Sequence, residues 1–356
     1  MRLLFINEKL GYAGTSSYTL DLALALKQKK HEVQVCTTGG ALRDVFVRQG
    51  VTTYLVKFNI LSFRKLLGFL SEFDPDLIHI QNRQSTLFGR KISRKLRVPH
   101  LVTVHRLPEA SSANLNHPLL AGVIAGNEII REYLVNNQGV PKSLIRVISR
   151  GVNVDYLTPE SGRTPAAPGG SYIPVLGSVG RLVKVKGHDV FLKAARRLLD
   201  RGIEALFSIV GEGEEEEALW RLARDLRLER HVTFSPHIPD RRELYRLFDV
   251  VVVPTLRGGV GSAVLEAMAM GKPVVASAVG EILHIVQDGK TGLLVPEGDV
   301  DALSSRMADL LTHPGLGQAL GQAARARVVD NFALGPMLEA TLSFYAAVST
   351  GGGEGT

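Results

Sequence analysis

A glycine-rich turn and a glutamate just after it have the residue types needed to hold a phosphorylated ligand. The turn runs over 254–261, after the four valines of 250–253, and a helix is predicted over 262–270. Glycines let backbone N–H groups approach a ligand closely, and the N-terminus of a helix carries a partial positive charge. The N–H groups that we expect to bind a phosphate are those of Gly259, Gly261, Ser262 and Ala263.

Glu266 falls in the first turns of this predicted helix, between the apolar residues Leu265 and Ala267. A carboxylate in this place complements the helix dipole, but an unpaired carboxylate in an apolar segment is costly. The diol of a ribose would satisfy it. Ser262 has two compatible interpretations, as a phosphate donor through its N–H group and as an N-cap through its hydroxyl.

Short apolar strands alternate with amphipathic helices along the chain, which is typical of an α/β doubly wound fold. The strands predicted in the first half are 3–6, 32–36, 53–56, 77–80, 100–104, 122–125 and 145–148. Those predicted in the second half are 173–179, 205–210, 232–234, 250–253 and 274–276. The phosphate site would then lie at the carboxyl ends of parallel strands, where ligands of such sheets bind.

The chain has 356 residues, a length that favours two domains. Residues 158–170 are rich in proline, glycine and small polar side chains, as linkers are. We therefore predict an N-terminal Rossmann-like domain of 1–160 and a C-terminal one of 161–335. We expect residues 336–356 to form a last helix and a flexible tail.

Two segments after the turn, LEAMAMGKPVVA at 265–276 and DGKTGLLVP at 288–296, match a known pattern in long gapless runs. They resemble the donor site of the retaining glycosyltransferases of family 4. The resemblance implies two Rossmann-like domains facing across a cleft (the GT-B fold), with the last helix crossing back to the first domain. It also implies that a nucleotide-sugar donor binds in the second domain and that Glu266 binds the ribose of this donor.

Three residues of the resembled segment depart from the family pattern. Gly258 stands where the first of two paired glutamates is usual, and Glu281 and His284 replace a glycine and a glutamate. Since the first glutamate meets the transferred sugar in the family, its absence predicts a donor other than a plain hexose.

The loop over 180–187 contains Arg181 and Lys186 and is similar to the family element that binds the donor diphosphate. Negative charge grows on the leaving nucleotide as the glycosidic bond to phosphate breaks, and fixed cations stabilise that charge. The resemblance thus implies a catalytic role for Arg181 and Lys186. The alternative is a pair of solvated basic residues in an exposed loop.

In the first domain, Gly14 belongs to a turn that resembles the glycine-rich loop beneath the sugar and acceptor. His105 ends a predicted strand as the family's sugar-contacting histidine does, which implies a catalytic role; a structural histidine is the alternative. The neighbouring Arg106 replaces a common aspartate. Arg150, in the turn that closes the domain, replaces a common asparagine.

The formal net charge of +7 fits anionic partners, either nucleotide phosphates or an anionic membrane surface. The basic helix predicted around 88–96 would expose Arg90, Arg94 and Arg97 to such a membrane. Nucleic acid is not expected, because no reading module accompanies the charge. The single cysteine, Cys36, lies in an apolar run, and the apolar start is too short for a signal or a span. We expect the protein to be located in the cytoplasm or at the inner face of the cell membrane.

Neither a metal nor another cofactor is expected. Asp74 and Asp76 have the spacing of a metal site, but Pro75 and the strand that follows favour a turn. The segment 211–213 looks like a dinucleotide loop, yet the four acids that follow would repel a pyrophosphate and instead favour a helix near Ala218. No histidines and cysteines have zinc-site spacing.

The sequence therefore predicts a glycosyltransferase that moves a sugar from a nucleotide-sugar to a glycan or lipid-linked acceptor, in cell-surface polysaccharide or glycolipid synthesis. Two alternatives stay open. One is a nucleotide-sugar epimerase of the same architecture. The other is a catalytically silent protein that binds a sugar nucleotide, which the glycine at position 258 would permit.

Overall fold

The structure is a computed structural model that describes residues 1–11, 14–56, 60–82, 85–107, 115, 117–159, 172–236, 238, 240–257 and 261–350. The chain divides into two compact units. Unit 1 comprises Met1–Gly151 and Leu334–Thr356, and unit 2 comprises Val152–Ala333. The predicted linker falls almost wholly outside the described residues.

Unit 1 is built on a seven-stranded parallel sheet with the order β3-β2-β1-β4-β5-β6-β7. Its strands are β1 (Arg2–Ile6), β2 (Glu32–Thr37), β3 (Thr52–Leu55), β4 (Leu77–Ile80), β5 (His100–Val104), β6 (Leu120–Ala125) and β7 (Ile145–Val147). Its helices are α1 (Gly14–Gln28), α2 (Arg43–Arg48), α3 (Ile60–Phe73), α4 (Thr86–Leu96), α5 (Glu128–Gln138) and α13 (Leu334–Thr350). The strands β4 and β5 are buried along their whole length, as expected where helices cover both faces.

The last helix, α13, belongs to unit 1 and is held there by polar as well as apolar contacts. Buried His79 of β4 lies between the Tyr345 hydroxyl, 2.5 Å from Nδ1, and the Thr103 hydroxyl, 2.6 Å from Nε2. Burial lowers the pKa of His79 well below its ordinary value, so the ring is neutral. Lys29 and Glu339 add an exposed ion pair at 3.0 Å.

Unit 2 is built on a six-stranded parallel sheet with the order β10-β9-β8-β11-β12-β13. Its strands are β8 (Val175–Val179), β9 (Leu206–Val210), β10 (Val232–Ser235), β11 (Val250–Val253), β12 (Val274–Ser277) and β13 (Leu293–Val295). Its helices are α6 (His188–Asp200), α7 (Glu216–Asp225), α8 (Arg241–Arg246), α9 (Ser262–Ala269), α10 (Ile282–Ile285), α11 (Val300–Thr312) and α12 (Pro314–Asn331).

The predicted fold, two α/β units with parallel sheets, is confirmed. Every strand predicted from apolar runs is present, with ends that differ by at most two residues. The three-residue strand β13 was not predicted, because so short a run carries little periodic signal. Gly14, which the sequence places in a turn, is the first residue of helix α1. Among the described residues, no helix is both long enough and apolar enough to cross a membrane.

Candidate functional site

The loops predicted to bind phosphate follow two neighbouring strands of unit 2. The chain runs from β8 outward to β10 in one direction, then returns and runs from β11 to β13 in the other. The strands β8 and β11 are paired, so the direction of winding reverses between them. The crevice at the carboxyl ends of such strands is where open α/β sheets bind ligands.

Arg181 and Lys186 lie in the loop that follows β8. Arg181 is exposed and Lys186 is half-buried, in a short 3-10 turn over Lys184–Lys186. Gly187 ends that turn with φ +68°, and a Cβ at this position would meet the Pro254 carbonyl oxygen at 2.0 Å. Only glycine therefore lets the loop after β8 lie against the loop after β11. A hydrogen bond of 2.9 Å from Leu256 N to the Val185 carbonyl joins the same two loops.

His188, the first residue of α6, fixes the backbone beside Arg181. Its Nε2 lies 3.2 Å from the Arg181 carbonyl oxygen, which can only accept, so Nε2 carries the proton. Nδ1 then accepts from the Ser178 hydroxyl at 3.2 Å. Burial lowers the pKa of His188 to about 4, so the ring is neutral near pH 7. We did not single out this residue from the sequence, because both of its partners become neighbours only in the folded turn.

Helix α9 begins differently from the prediction. Its N-cap is Gly261 and not Ser262, which is the first residue of the helix, and no side chain caps it locally. Instead, the Gly261 N–H donates to the carboxylate of Glu281, with 3.1 Å between N and Oε2. A carboxylate of the chain thus takes an N–H group predicted to face a phosphate. Gly258 and Gly259 lie outside the described residues.

The Glu266 carboxylate is buried, and it has partners within its own unit that the sequence did not indicate. Its Oε1 accepts from Arg241 at 3.2 Å, and its Oε2 accepts from the Tyr245 hydroxyl at 3.1 Å. Both donors belong to α8. These bonds offset the cost of burying the carboxylate, so a ribose is not needed for that purpose. Two carboxylate oxygens accept about four hydrogen bonds, which leaves capacity for a ribose diol.

The partners of Glu266 were missed because they are separated from it in the sequence. The sequence does mark the start of α8, where the Asp240 carboxylate accepts from Arg242 N at 2.9 Å and Glu243 N at 3.3 Å. It does not indicate that this helix packs beside α9. Tyr156 holds the same region, with its hydroxyl donating to Asp240 at 2.9 Å and its ring 5.4 Å from the Arg241 guanidinium.

In unit 1, His105 follows β5 and is almost fully buried, at 9% exposure. Its ring meets Tyr18 of α1 edge to face, with 4.6 Å between centroids. Burial, helped by the positive charge of Arg150, lowers the pKa of His105 to about 3, against a hydrogen bond to the Gln81 backbone. Among the described residues, Nε2 has no hydrogen-bond partner. The neutral ring therefore donates from Nδ1 and presents an accepting lone pair at Nε2.

Arg150 brings the predicted elements of unit 1 together. Its side chain is buried, and Nη1 donates to the Gly14 carbonyl oxygen at 2.5 Å. The closing turn of the unit is thereby joined to the start of α1. Because its charge also acts on His105, one guanidinium links Gly14 and His105, the two unit 1 residues predicted from the sequence.

The signals that we rejected as ligand sites have structural partners. Arg2 pairs with Asp74 at 3.0 Å and with Asp76 at 3.1 Å. Gly211 lets the next turn approach closely, since its Cβ would meet the Gly180 carbonyl oxygen at 1.9 Å. Helix α7 begins at Glu216, two residues before the predicted start, and no side chain caps it. Cys36, which lies in an apolar run, is buried and free, and burial raises the pKa of its thiol.

Over the described ranges, no three His, Cys, Asp or Glu side chains are grouped as metal ligands. Helix α4 exposes basic side chains, but not the predicted set, because Arg90 is half-buried. The exposed ones are Lys91, Arg94, Lys95 and Arg97. Ile92 of the same helix is fully buried.

Comparison with known families and proteins supports the arrangement described above. Residues 12–156 match the family model described as Glycosyltransferase Family 4, and residues 172–327 match that of Glycosyl transferases group 1. The D-inositol 3-phosphate glycosyltransferase of Mycobacteroides abscessus is 34% identical over 348 residues, covering 85% of this chain and 78% of that protein.

Other relatives are matched over a smaller part of their length. A GDP-mannose-dependent alpha-(1-6)-phosphatidylinositol monomannoside mannosyltransferase of Mycolicibacterium smegmatis is 36% identical over 205 residues. That match covers 54% of this chain and 53% of the relative. The D-inositol 3-phosphate glycosyltransferase of Corynebacterium jeikeium is 35% identical, over 54% of this chain and 49% of its own length. The chain thus spans about half of these two relatives.

Solved structures share the fold at low identity. HepE of Anabaena, solved with UDP and glucose, superposes with a TM-score of 0.85 at 20% identity, covering 98% of this chain and 100% of that one. The sucrose-phosphate synthase of Thermosynechococcus elongatus gives a TM-score of 0.81 at 21% identity, over 99% and 100%. The two family models and the relative matched over most of both chains agree on one family. This chain belongs to the group 1 glycosyltransferases of family 4, with the GT-B fold.

Proposed function

We propose that this protein transfers a sugar from a nucleotide-sugar donor to a hydroxyl group of a glycan or lipid-linked acceptor, with retention of configuration. In this reaction the bond between the anomeric carbon and the phosphate oxygen breaks, and its electrons go to the leaving nucleotide. The acceptor oxygen forms the new bond to the anomeric carbon, and its proton passes to the leaving phosphate oxygen. The product belongs to a cell-surface polysaccharide or a glycolipid.

The observation that carries this proposal is the set of residues at the carboxyl ends of β8 and β11. Arg181 and Lys186 follow β8, and the start of α9 follows β11, so cations and helix N–H groups lie on neighbouring strand ends. Glu266, one and a half turns into α9, provides a buried carboxylate for the ribose. Cations and helix N–H groups both suit the oxygens of a diphosphate. A carboxylate suits the diol of a sugar, whose hydroxyl groups donate hydrogen bonds to it.

The proposed catalytic residues are Arg181, Lys186 and His105. The two cations stabilise the charge that grows on the leaving diphosphate. His105, neutral and with an accepting Nε2, receives a hydrogen bond from a hydroxyl of the transferred sugar. In unit 1, Gly14 lies where the resembled family has its glycine-rich loop, held by Arg150.

Relatives support a polyhydroxylated acceptor. Two of the matched proteins are named for inositol 3-phosphate and one for phosphatidylinositol monomannoside. HepE was solved with UDP-glucose, which supports a nucleotide-sugar as the donor. The choice among donor sugars and bases depends on side chains in which this chain departs from its family.

The decisive experiment incubates the purified protein with UDP-, GDP- and ADP-sugars and a panel of inositol phosphate, lipid and oligosaccharide acceptors. Mass spectrometry identifies the product, and NMR of the anomeric proton gives its configuration. We expect one donor to yield a product with the donor's configuration, with or without EDTA. An inverted product contradicts retention, and a strict need for added manganese or magnesium contradicts metal-free transfer.

A second candidate, a catalytically silent protein that binds a sugar nucleotide, is favoured by one observation. The Glu281 carboxylate takes the Gly261 N–H at the start of α9, and position 258 lacks a side chain that could carry a replacement carboxylate. Calorimetric binding of a nucleotide-sugar without hydrolysis or transfer across the whole panel would support this candidate. Turnover of any donor excludes it.

A further inference from the structure

Gln81 follows β4 and combines complete burial with a side chain that makes no hydrogen bond. Its exposure is 0%, and neither Oε1 nor Nε2 has a partner within the part of the chain that the structure describes. An unsatisfied buried amide is costly, so nearly all buried polar groups in proteins are paired. A carboxamide with both ends unpaired needs an explanation.

The next residue shows that this edge of the sheet can satisfy a carboxamide. Asn82 Nδ2 donates to Asn7 Oδ1 at 2.9 Å, and its Oδ1 accepts from Ser85 N at 2.9 Å and Ser85 Oγ at 2.8 Å. The Asn7 side chain in turn donates to Thr19 at 3.0 Å. Gln81 lies beside this network and takes no part in it, so its unpaired state is specific to that side chain.

Gln81 also lies at the place in unit 1 where a ligand is expected. Its strand β4 pairs with β1 on one side and β5 on the other, and the winding of the sheet reverses between β1 and β4. His105, at the end of β5, bonds to the Gln81 backbone and presents an unpaired Nε2. Two neighbouring strand ends thus hold buried, unpaired hydrogen-bonding atoms at the edge of the sheet where such folds bind ligands.

The types of these atoms indicate the ligand. A carboxamide offers both a donor and an acceptor, and a neutral histidine Nε2 offers an acceptor. A phosphate only accepts and an ammonium only donates, whereas a hydroxyl group does both. We propose that Gln81 is a specificity-determining residue that binds hydroxyl groups of a sugar or cyclitol ring at the ends of β4 and β5. The inference rests on the proposed function and adds Gln81 to the residues proposed there.

Complete burial is compatible with this role. A ligand reaches the carboxamide only if the groups at this edge separate, and the cost of covering an unpaired amide lowers the free energy needed for that separation. The ring that enters supplies the missing hydrogen bonds. The same cost makes the inference testable in the absence of any ligand.

The test compares Gln81→Met, which keeps the length of the side chain, with Gln34→Met as a matched control. Gln34 lies in the same sheet, and its Oε1 accepts from the Tyr54 hydroxyl at 2.7 Å. Removing the paired carboxamide of Gln34 should lower the unfolding midpoint in urea. Removing the unpaired carboxamide of Gln81 should leave that midpoint unchanged or raise it. A clear loss of stability in Gln81→Met would mean that Gln81 is structural and would overturn the inference.

Ligand binding is then measured on the folded variants with UDP, UDP-glucose, GDP-mannose, inositol 3-phosphate and the acceptor identified by the product screen. For Gln81→Met we expect a rise of about ten-fold in the Kd or KM of either the nucleotide-sugar or the acceptor, as for a lost hydrogen bond. Affinity for UDP alone should not change. If the affinity for the nucleotide-sugar falls, Gln81 binds a ring of the donor. If the affinity for the acceptor falls, Gln81 binds a ring of the acceptor.

The two possible failures are distinguishable. If the parent protein binds a nucleotide-sugar and Gln81→Met binds every probe as the parent does, the inference about Gln81 is wrong and the proposed function stands. If the parent protein binds none of the nucleotide-sugars, the proposed function fails, and the inference fails with it.

Discussion

The carboxylate of Glu281 accepts a hydrogen bond from the backbone N–H of Gly261, with 3.1 Å between the two atoms, at the N-terminus of α9. A negative charge at this end of a helix is favourable by about 0.3–2 kcal/mol. A donor phosphate that uses the same end must therefore share it with Glu281 or displace that side chain. Position 281 is one of the three at which this chain departs from the pattern that it resembles.

The first prediction concerns this competition. Glu281→Gln removes the charge but keeps an oxygen that can accept from Gly261, so the stability of the fold should change little. The affinity for UDP or GDP should rise about two- to ten-fold, as the energy of an anion at a helix N-terminus implies. Calorimetry measures this, with Glu229→Gln as the control because Glu229 is exposed and precedes β10, an edge strand separated from β11 by β9 and β8. Equal or weaker binding by Glu281→Gln would show that the carboxylate does not compete.

The second prediction concerns the cations after β8. Arg181→Ala or Lys186→Ala should lower kcat by about 100-fold or more, because each loses a charge that stabilises the leaving diphosphate. Arg201→Ala is the control, since Arg201 is exposed at the C-terminal end of α6, away from the loop. Steady-state kinetics with the identified donor checks the result. Unchanged turnover in either loop variant would remove that residue from the catalytic set.

The third prediction separates the two roles of Glu266. Glu266→Gln should weaken nucleotide binding by about 1.5–3 kcal/mol, as for a hydrogen bond to a charged group. It also disturbs the buried pair with Arg241, where the loss of one partner costs about 3–5 kcal/mol of stability. Arg241→Gln disturbs the pair from the other side and serves as the control.

Nucleotide titrations at a temperature where both Glu266→Gln and Arg241→Gln are folded give the comparison. If Arg241→Gln binds UDP and GDP as the parent does while Glu266→Gln does not, the carboxylate contacts the nucleotide directly. Equal losses in both would instead indicate that the pair only shapes the site.

The fourth prediction concerns the stability of the fold at acidic pH. Burial lowers the pKa of His100 and His188 to about 4 and that of His105 to about 3, and keeps His79 neutral. Below about pH 6.5 the unfolded chain binds protons at these positions and the folded chain does not, so acid favours unfolding. Each such histidine should cost about 1.4 kcal/mol of stability per pH unit from about pH 6.5 down to its folded pKa, and nothing above about pH 7.

Urea unfolding at several pH values between 7.5 and 4.5 measures this slope. His100→Asn should make the slope shallower, because the residue that gains a proton on unfolding is absent. Asparagine can still reach the Ser93 hydroxyl, which lies 2.9 Å from His100 Nδ1. A stability that stays flat below pH 6.5 would contradict the prediction.

The fifth prediction concerns the membrane. The exposed basic residues of α4 lie beside the exposed Leu87, which an interface would accept. Each basic residue at an anionic surface contributes about 1 kcal/mol, so the set could hold the protein reversibly at a membrane that carries lipid-linked acceptors. Sedimentation with anionic liposomes should show binding that weakens with salt and falls when Lys91, Arg94, Lys95 and Arg97 become glutamine. If binding depends neither on lipid charge nor on these substitutions, the basic residues of α4 do not mediate binding to the membrane.

The α/β fold and the positions of its strands along the chain could be predicted because both depend on local patterns. A buried parallel strand is a continuous apolar run, as in the four valines of β11, and a glycine-rich turn before a helix is visible at short range. The same reasoning located Arg181, Lys186 and Glu266 on loops and a helix at strand ends. Boundaries shifted by one or two residues, as for α7, because the first turn of a helix has little apolar periodicity.

The partners of these residues were decided only by the tertiary structure. Glu266 is satisfied by Arg241 and Tyr245 because α8 packs beside α9, and Glu281 reaches Gly261 from the segment after β12. Gln81 is unpaired because of what surrounds β4 in the folded sheet and not because of its neighbours in the chain. Hydrophobic periodicity reports which side of an element is buried, but a hydrogen bond depends on distances of a few ångströms between elements. Those distances are set by the strand order and the packing of the helices, which no local pattern encodes.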